Sequence, residues 1–545
     1  SKMCFTIHQA YAGLLGIPGY LVQTMQERHT STDRRHRLSA VADRLSAGIA
    51  NRFAIDTRAL AAFRIALGLL LLTDLALRSR DLEAFYTDAG VLPRAALFSD
   101  YSNVYSLHAM SGEPWAIALL FVVAAVFAVA MTIGYRTRLA TVCSWLLLLS
   151  LHARNPMVLN GGDTFLRILL FWAMFLPLGK RWAVDARRTD EPRATVSNVA
   201  TMALLLQVTA MYVVNAIHKS RGEMWFNGEA VVYVFSLDYK FTFLLGDVLA
   251  EYPELLRMMT YLWTGLLLSS PLLLLLTGRP RAVLATAFAG MHLGMLVTMR
   301  IGIFPLVVVT ALVPFYPPFV WDGLVVLATR AGLARPLRAA MSRLRAALPR
   351  GPTISGLPTT LPAPQRLLTA GVAHGRTLFS TVLPWLFLVL VILSNAQAVG
   401  YTQVPEPGEE ALEATETDQN WQMFAPEPLG TDGWFIAPAE LENGSEIDAL
   451  HRSEVSWDPP SSHEDVYPTS RWRKYLANVW GGDNKNHESY LANHLCERWN
   501  GTHETDIEQV DLYYMAQPSE PYNETEPVDS IKLQEYRCDG EFIQD

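Results

Sequence analysis

Apolar residues in this chain gather into runs near 20 residues long, and such runs allow few structural outcomes. Lipid offers no hydrogen-bond partners, so a spanning segment must satisfy its own backbone as a helix. About 20 residues cross a hydrocarbon core of ~30 Å. Nine runs are candidates, near 59–77, 115–134, 138–153, 163–179, 198–217, 257–277, 281–299, 301–325 and 380–398, the third and fourth being the shortest. Hydrophobic residues form 51% of the 545, and the mean hydropathy is +0.18, too apolar for a soluble chain of this length.

Charge divides the chain. Residues 399–545 hold 31 acidic and 8 basic residues, a net of −23, whereas residues 1–398 carry +15. Basic residues near helix ends mark the cytoplasmic side. Arg28, Arg34, Arg35, Arg37 and Arg44 precede the first run, and Arg136 and Arg138 follow the second. Lys180, Arg181, Arg187, Arg188 and Arg193 follow the fourth, and Arg279 and Arg281 the sixth. Eight arginines and no acidic residue lie between Arg330 and Arg376. All these loops share one side if the N-terminus is cytoplasmic and nine helices follow. The chain is then expected to be a multi-pass protein of the plasma membrane, with its acidic C-terminal region outside.

Two features agree with that topology. The sequons at Asn443, Asn500 and Asn523 all lie in the C-terminal region, as extracellular glycosylation requires. Cys496 and Cys538 lie there too, where a disulfide persists. Cys4 and Cys143 have no metal-ligand partner nearby, and no metal is expected. The dense carboxylates and scarce lysines also resemble proteins of salt-loving archaea, because carboxylates hold water where salt screens repulsion.

The expected organisation is an α-helical integral membrane protein of about nine transmembrane helices, followed by a small extracellular α+β domain. Residues 1–54 read as a cytoplasmic arm with a basic amphipathic segment, and 55–328 as a membrane domain of eight helices. Residues 329–379 form an Arg/Pro-rich linker, 380–398 the last span, and 399–545 the acidic domain. In that domain, Trp434–Leu441 and Glu446–Leu450 alternate around Glu442–Ser445, a hairpin signal. Residues 470–499 read as helical, with Trp472, Tyr475, Leu476, Val479 and Trp480 at core spacing. Val510–Met515 and Ile531–Tyr536 read as strands.

Charged groups within the apolar runs each need an account. Arg64 and Asp74 share the first, with Asp74 near its wet outer end. Asp163 and Arg167 are one helical turn apart and can pair. His292 is alone mid-helix and can serve a neighbouring helix. Lys219 ends the fifth run in Tyr212-Val-Val-Asn-Ala-Ile-His-Lys-Ser-Arg-Gly-Glu-Met-Trp-Phe-Asn-Gly228, one of only seven lysines beside 37 arginines. Burial at membrane depth favours a neutral, basic amine, whereas a snorkelling lysine would keep its charge in the headgroups. The aromatic but polar stretch Trp225–Glu254 cannot span and suits a cap over an outer-leaflet cavity.

Several stretches together resemble one family. Arg154-Asn-Pro-Met-Val-Leu-Asn-Gly-Gly-Asp-Thr-Phe-Leu-Arg-Ile-Leu-Leu-Phe171 resembles the signature of the HTTM domain, the membrane domain of vitamin K-dependent gamma-carboxylases and their prokaryotic relatives. Phe85-Tyr-Thr-Asp-Ala-Gly-Val-Leu-Pro93, Tyr212–Gly228 and Trp421-Gln-Met-Phe424 are similar to further carboxylase segments. The resemblance covers roughly residues 55–425 and puts Lys219 at the proposed catalytic lysine. The family's functional histidine before the fourth helix corresponds to Gly162 or Asp163 here, and its lysine before the catalytic one is His218. The outer domain is also shorter.

That resemblance implies chemistry in which a weak base deprotonates a reduced naphthoquinone (vitamin K or menaquinol), oxygen attacks, and a glutamate is carboxylated. Lys219 is then the expected base, with His218, His292 and Asp163 as catalytic helpers. Asn160, Arg167, Tyr212, Asn215 and Trp225 are the expected substrate contacts. The partners implied are membrane lipid and an envelope protein or peptide, not nucleic acid. The alternative is a non-catalytic membrane scaffold or maturation factor for an envelope protein. For the topology, a cysteine introduced at Ser461 should react with a membrane-impermeant maleimide on intact cells; labelling only after lysis would reverse the orientation.

Overall fold

A computed structural model describes residues 46–101, 104–186, 194–237, 241–348, 375, 377–428, 431–460, 466–518 and 527–544. The expected N-terminal arm to residue 45, most of the Pro-rich linker, Asn523 and Ser461 lie outside the described residues. Residues 46–52 form a helical segment. Separately, Ile55–Asp545 form one compact unit.

Helices occupy all nine apolar runs. They are α1 (Thr57–Arg78), α2 (Pro114–Ile133), α3 (Thr137–Arg154), α4 (Gly161–Ala173), α5 (Val199–Lys219), α6 (Pro253–Ser269), α7 (Gly278–Thr298), α8 (Phe304–Leu312) and α9 (Pro318–Arg330), which share the eighth run, and α11 (Leu383–Ala398); between the last two, α10 (Ala334–Ala347) is an exposed basic helix in the stretch expected as a linker. Five are long and apolar enough to cross a membrane: α1 continued to Tyr86, α2, α5, α7, and α11 begun at Leu378. The run at 301–325 is not one straight helix. It bends by 107° between Phe304–Phe315 and α9, where Pro314, Pro317 and Pro318 remove amide donors and clash with the preceding turn. Pro271 likewise parts α6 from a single turn at Leu272–Leu275.

The short α4 is the centre of the membrane part. Its residues from Phe165 to Ala173 are all buried, Arg167 included. Its start is closed by a capping box. The Asn160 side chain accepts from the amides of Gly162 and Asp163, and the Asp163 carboxylate accepts from the Asn160 amide at 2.9 Å. At the opposite end of α1, Arg64 donates to the carbonyl oxygens of Thr132, Leu178, Arg181 and Trp182, at 2.6–3.3 Å. One buried guanidinium thus ties three chain segments together.

Among its described residues the C-terminal region has a short helix at Glu406–Ala414, the helices α12 (Ser470–Gly481) and α13 (Asn486–Asn500), and five strands: β1 (Thr431–Ile436), β2 (Pro438–Leu441), β3 (Glu446–Asp448), β4 (Ile507–Pro518) and β5 (Asp529–Arg537). The long β4 is central. It pairs antiparallel with β1 and β2 in succession and with β5, while β2 pairs with β3 in the expected hairpin. The region expected as one helix over 470–499 is two, because Gly481-Gly-Asp-Asn484 breaks it. Trp472, Tyr475, Leu476 and Val479 are core residues as expected. Cys496 and Cys538 form a disulfide with Cα atoms 5.7 Å apart, joining α13 to the end of β5. Asn443 is exposed on the hairpin, whereas Asn500 is half-buried and accepts from the Ile507 amide at 2.8 Å.

This sheet is not a separate bead. One apolar core runs from Tyr86, Phe121 and Leu151 in the helical part to Trp434, Leu491 and Tyr514 in the C-terminal region. Beneath it lies a buried charge cluster. Arg78 donates to Asp74 at 2.7 Å and to Asp163 at 2.6 Å, and Arg471 of α12 donates to the same two at 2.6 and 3.1 Å. Asp74 is therefore buried, not wet, and Asp163 does not pair with Arg167. Arg167 instead meets Glu416 at 2.5 Å, since α4 turns Asp163 toward α1 and α12. Breaking a buried ion pair strands its partner's charge. Arg471→Ala should destabilise the protein by about 3–5 kcal/mol, seen as a lower melting temperature in detergent, while Arg80→Ala on the surface should change it by under about 0.5 kcal/mol.

Candidate functional site

Four sequence segments meet as two pairs. Arg154 donates to the carbonyls of Leu92 and Thr87 at 2.8 and 3.0 Å, and Asn155 donates to that of Phe85 at 2.9 Å. The first signature stretch therefore holds the Phe85–Pro93 loop. In the second pair, Asn215 on α5 donates to the carbonyls of Trp421 and Met423 at 2.7 and 3.1 Å. One turn on, the Lys219 amine donates to the carbonyls of Met423 and Phe424 at 2.7 and 3.1 Å. Trp225 completes the knot, donating to the Phe424 carbonyl at 3.1 Å. Gly222 is needed here, since a Cβ would fall 2.4 Å from the Pro426 carbonyl oxygen.

A network of side-chain amides fixes the strap that brings those carbonyls in. Gln207 of α5 and Gln419 donate to each other at 2.6 and 2.9 Å, and Asn395 of α11 and the Trp421 indole donate to Gln419. All four residues are buried, and three of them donate to the one Gln419 side-chain oxygen, which favours one position for Trp421–Phe424.

Lys219 is 4% exposed. Its amine lies 3.6 Å from the Trp225 ring centroid and 5.9 Å from that of Phe424. Among the described residues no carboxylate pairs with it. Glu223, the one in reach by sequence, is exposed and makes no ion pair with Lys219. Its own amide instead donates to Glu427 at 2.8 Å.

The amine faces a cavity of about 430 Å³. Its walls come from α5, α6, α7, the start of α8 and the short helices Met224–Asn227 and Ala230–Phe235, and Gln422–Ala425 and Arg473 close it. The lining is chiefly apolar, with Met211, Met259, Trp263, Met291, Met295 and Phe304 among it. Two polar tips stand out. The Tyr212 hydroxyl is buried with no hydrogen-bond partner. His292 bonds the Phe288 carbonyl through Nδ1 at 2.9 Å. A carbonyl only accepts, so that nitrogen carries the hydrogen, and in the neutral ring Nε2 remains an acceptor. The aromatic stretch after Trp225 does cap the cavity, through Trp225, Val231, Val234, Phe235 and Phe241.

The expected site residues separate into two groups. Lys219, His292, Asn160, Tyr212, Asn215 and Trp225 all line this cavity. Asp163, Arg167 and His218 do not. Asp163 and Arg167 sit in the charge cluster, with the His152 ring between Arg78 and Arg167 at 3.1 Å from each. Asp74, His152 and Asp163 place donor atoms within 4.8 Å of one another. Arg78 and Arg471 already bring their positive charge to those carboxylates, so the group is an ion-pair set. His218 is buried with Nε2 unpartnered. Sequence reasoning missed the Met423 and Phe424 carbonyls, Trp263 and Arg473. Backbone acceptors leave no compositional trace, and Arg473 lies in the first turn of a helix of the outer region.

The bundle and its enclosed amine define a multi-pass helical membrane protein with a roofed cavity. Residues 53–321 match the HTTM domain family, and the protein is an HTTM domain protein. No curated protein and no solved structure matches the chain.

An unpartnered buried hydroxyl adds nothing to folding. Tyr212→Phe should leave the melting temperature unchanged or slightly raised, while weakening any cavity ligand that hydrogen-bonds there. A melting loss worth more than about 1 kcal/mol would mean that the hydroxyl has a structural partner.

Proposed function

We propose that this protein is a quinol-linked membrane enzyme of the carboxylase type, with Lys219 as its base. One observation carries the reading: an amine enclosed at the end of a membrane helix, facing an apolar cavity, with no carboxylate beside it. A nearby carboxylate would hold the proton and spoil a base.

A reduced naphthoquinone suits the lining by chemistry. Trp225, Trp263, Phe304 and the methionines offer flat and adaptable apolar contact, and Tyr212 and His292 offer a donor and an acceptor to ring oxygens. When bound, that group supplies the reducing equivalents and the reaction with oxygen. The chain's part is to exclude water and to move a proton. A neutral amine has two hydrogens, which match the carbonyls of Met423 and Phe424 and leave its lone pair for a donor in the cavity. Once the amine takes a proton, the indole face of Trp225 stabilises the cation. The methionine-rich walls come from α6 and α7, whose outward residues Met258, Leu262, Val283 and Leu293 are exposed. That position suits entry of a lipid-borne substrate. The outer region, taken as extracellular, would then meet an envelope protein or peptide.

Purified protein in nanodiscs with reduced menaquinone and oxygen tests this. Lys219→Ala should lower quinol oxidation at least about a hundredfold in protein that still folds and inserts in the membrane. Lys219→Arg should fail too, because guanidinium stays protonated. Full activity in the arginine variant would leave only a positional role, and no turnover in the wild type would favour the scaffold.

A further inference from the structure

The cavity lining also holds a guanidinium that the proton chemistry above does not use. Arg473 projects from the first turn of α12, and its guanidinium lies over the Phe241 ring at 4.8 Å from the centroid. Phe241 packs edge-to-face on Phe424 at 5.0 Å, and the Lys219 amine lies beyond. Its neighbour Arg471 is taken up by Asp74 and Asp163, but Arg473 makes no ion pair or hydrogen bond through its side chain among the described residues. Its Nε is buried without an acceptor.

Burial brings the Arg473 guanidinium down to about 10, still well above neutrality, so it remains a cation. The nearby positive charge of Arg300 acts in the same direction as burial. Arg300 itself donates to the Tyr467 carbonyl at 3.0 Å. The one carboxylate on the lining, Glu427, is exposed and accepts from the amides of Glu223 and Met224 at 2.8 and 3.3 Å. Only the neighbouring Tyr467 favours the Arg473 charge, and among the described residues no carboxylate pairs with it. An unpaired charge in such a place is costly, and a guanidinium is built for two-pronged binding of an oxyanion.

We propose that Arg473 is a carboxylate-binding residue, which anchors an amphiphilic carboxylic acid under the outer region while its apolar body lies along the methionine-lined wall. A single guanidinium matches a single negative charge, which favours a carboxylate over a phosphate monoester dianion. This inference rests on the cavity and not on quinol chemistry, and it stands whether or not Lys219 acts as a base.

The test is equilibrium binding of radiolabelled oleate, methyl oleate and lysophosphatidic acid to the full chain in nanodiscs of uncharged lipid, with empty nanodiscs subtracted. Wild type should hold oleate at least about tenfold more tightly than its ester, and more tightly than lysophosphatidic acid. Arg473→Gln should bring the acid-to-ester ratio near one without weakening the ester. Arg473→Lys, which keeps the charge but loses the fork, should retain part of the preference and guards against misfolding of the glutamine variant. Equal binding of acid and ester by wild type would overturn the proposal. So would a preference that survives in Arg473→Gln, or stronger binding of lysophosphatidic acid than of oleate.

Discussion

The structure depends on one buried set of charges, in which Arg78 and Arg471 share Asp74 and Asp163. Taking four ionised groups out of water costs several kcal/mol for each, and only close mutual pairing offsets that cost. The pairing demands that α1, α4 and α12 stand in one relation. Alternative placements of the outer region would leave Asp74 and Asp163 sharing a single guanidinium. The cluster is thus better understood as a device for position than as a source of stability. The apolar core around Phe85, Trp472 and Tyr475 supplies the adhesion, with ring centroids 4.8–5.9 Å apart.

That fixed relation makes the cavity possible. The helices provide the walls and the lysine, but the carbonyls that hold the lysine belong to the strap between α11 and the sheet. The strap is held by the amide network around Gln207 and Gln419, and Arg473 follows from α12. The site is therefore shared between helices embedded in an apolar surface and a polar segment above them.

Helix positions were legible because long apolar runs have so few alternatives. The hairpin and both long strands of the outer region were legible from alternation. What failed was whatever depended on neighbours. Asp74 near a helix end was expected to be wet, but Arg471, nearly 400 residues later, covers it. Asp163 and Arg167 had helical spacing for a pair, yet each found a stronger partner on another segment. Proline signals at 314, 317 and 318 were visible, but hydropathy alone let the run pass through them. For the site, Lys219, Tyr212, Asn215, Trp225 and His292 could be found from a polar residue's cost in an apolar run and from motif resemblance. Arg473 could not, because its environment is made by Phe241, Arg300 and Tyr467, which the sequence does not bring together.

The match to the HTTM family ends at residue 321, and the closure of the cavity lies a hundred and more residues later. A chain ending at that boundary would keep the walls and open the lid, leaving the Lys219 amine in contact with water. The bundle then resembles a socket whose chemistry is set by whatever is plugged into its outer mouth. Exchanging that outer part could change which molecules are admitted, and how dry the amine stays, without altering one residue of the membrane helices.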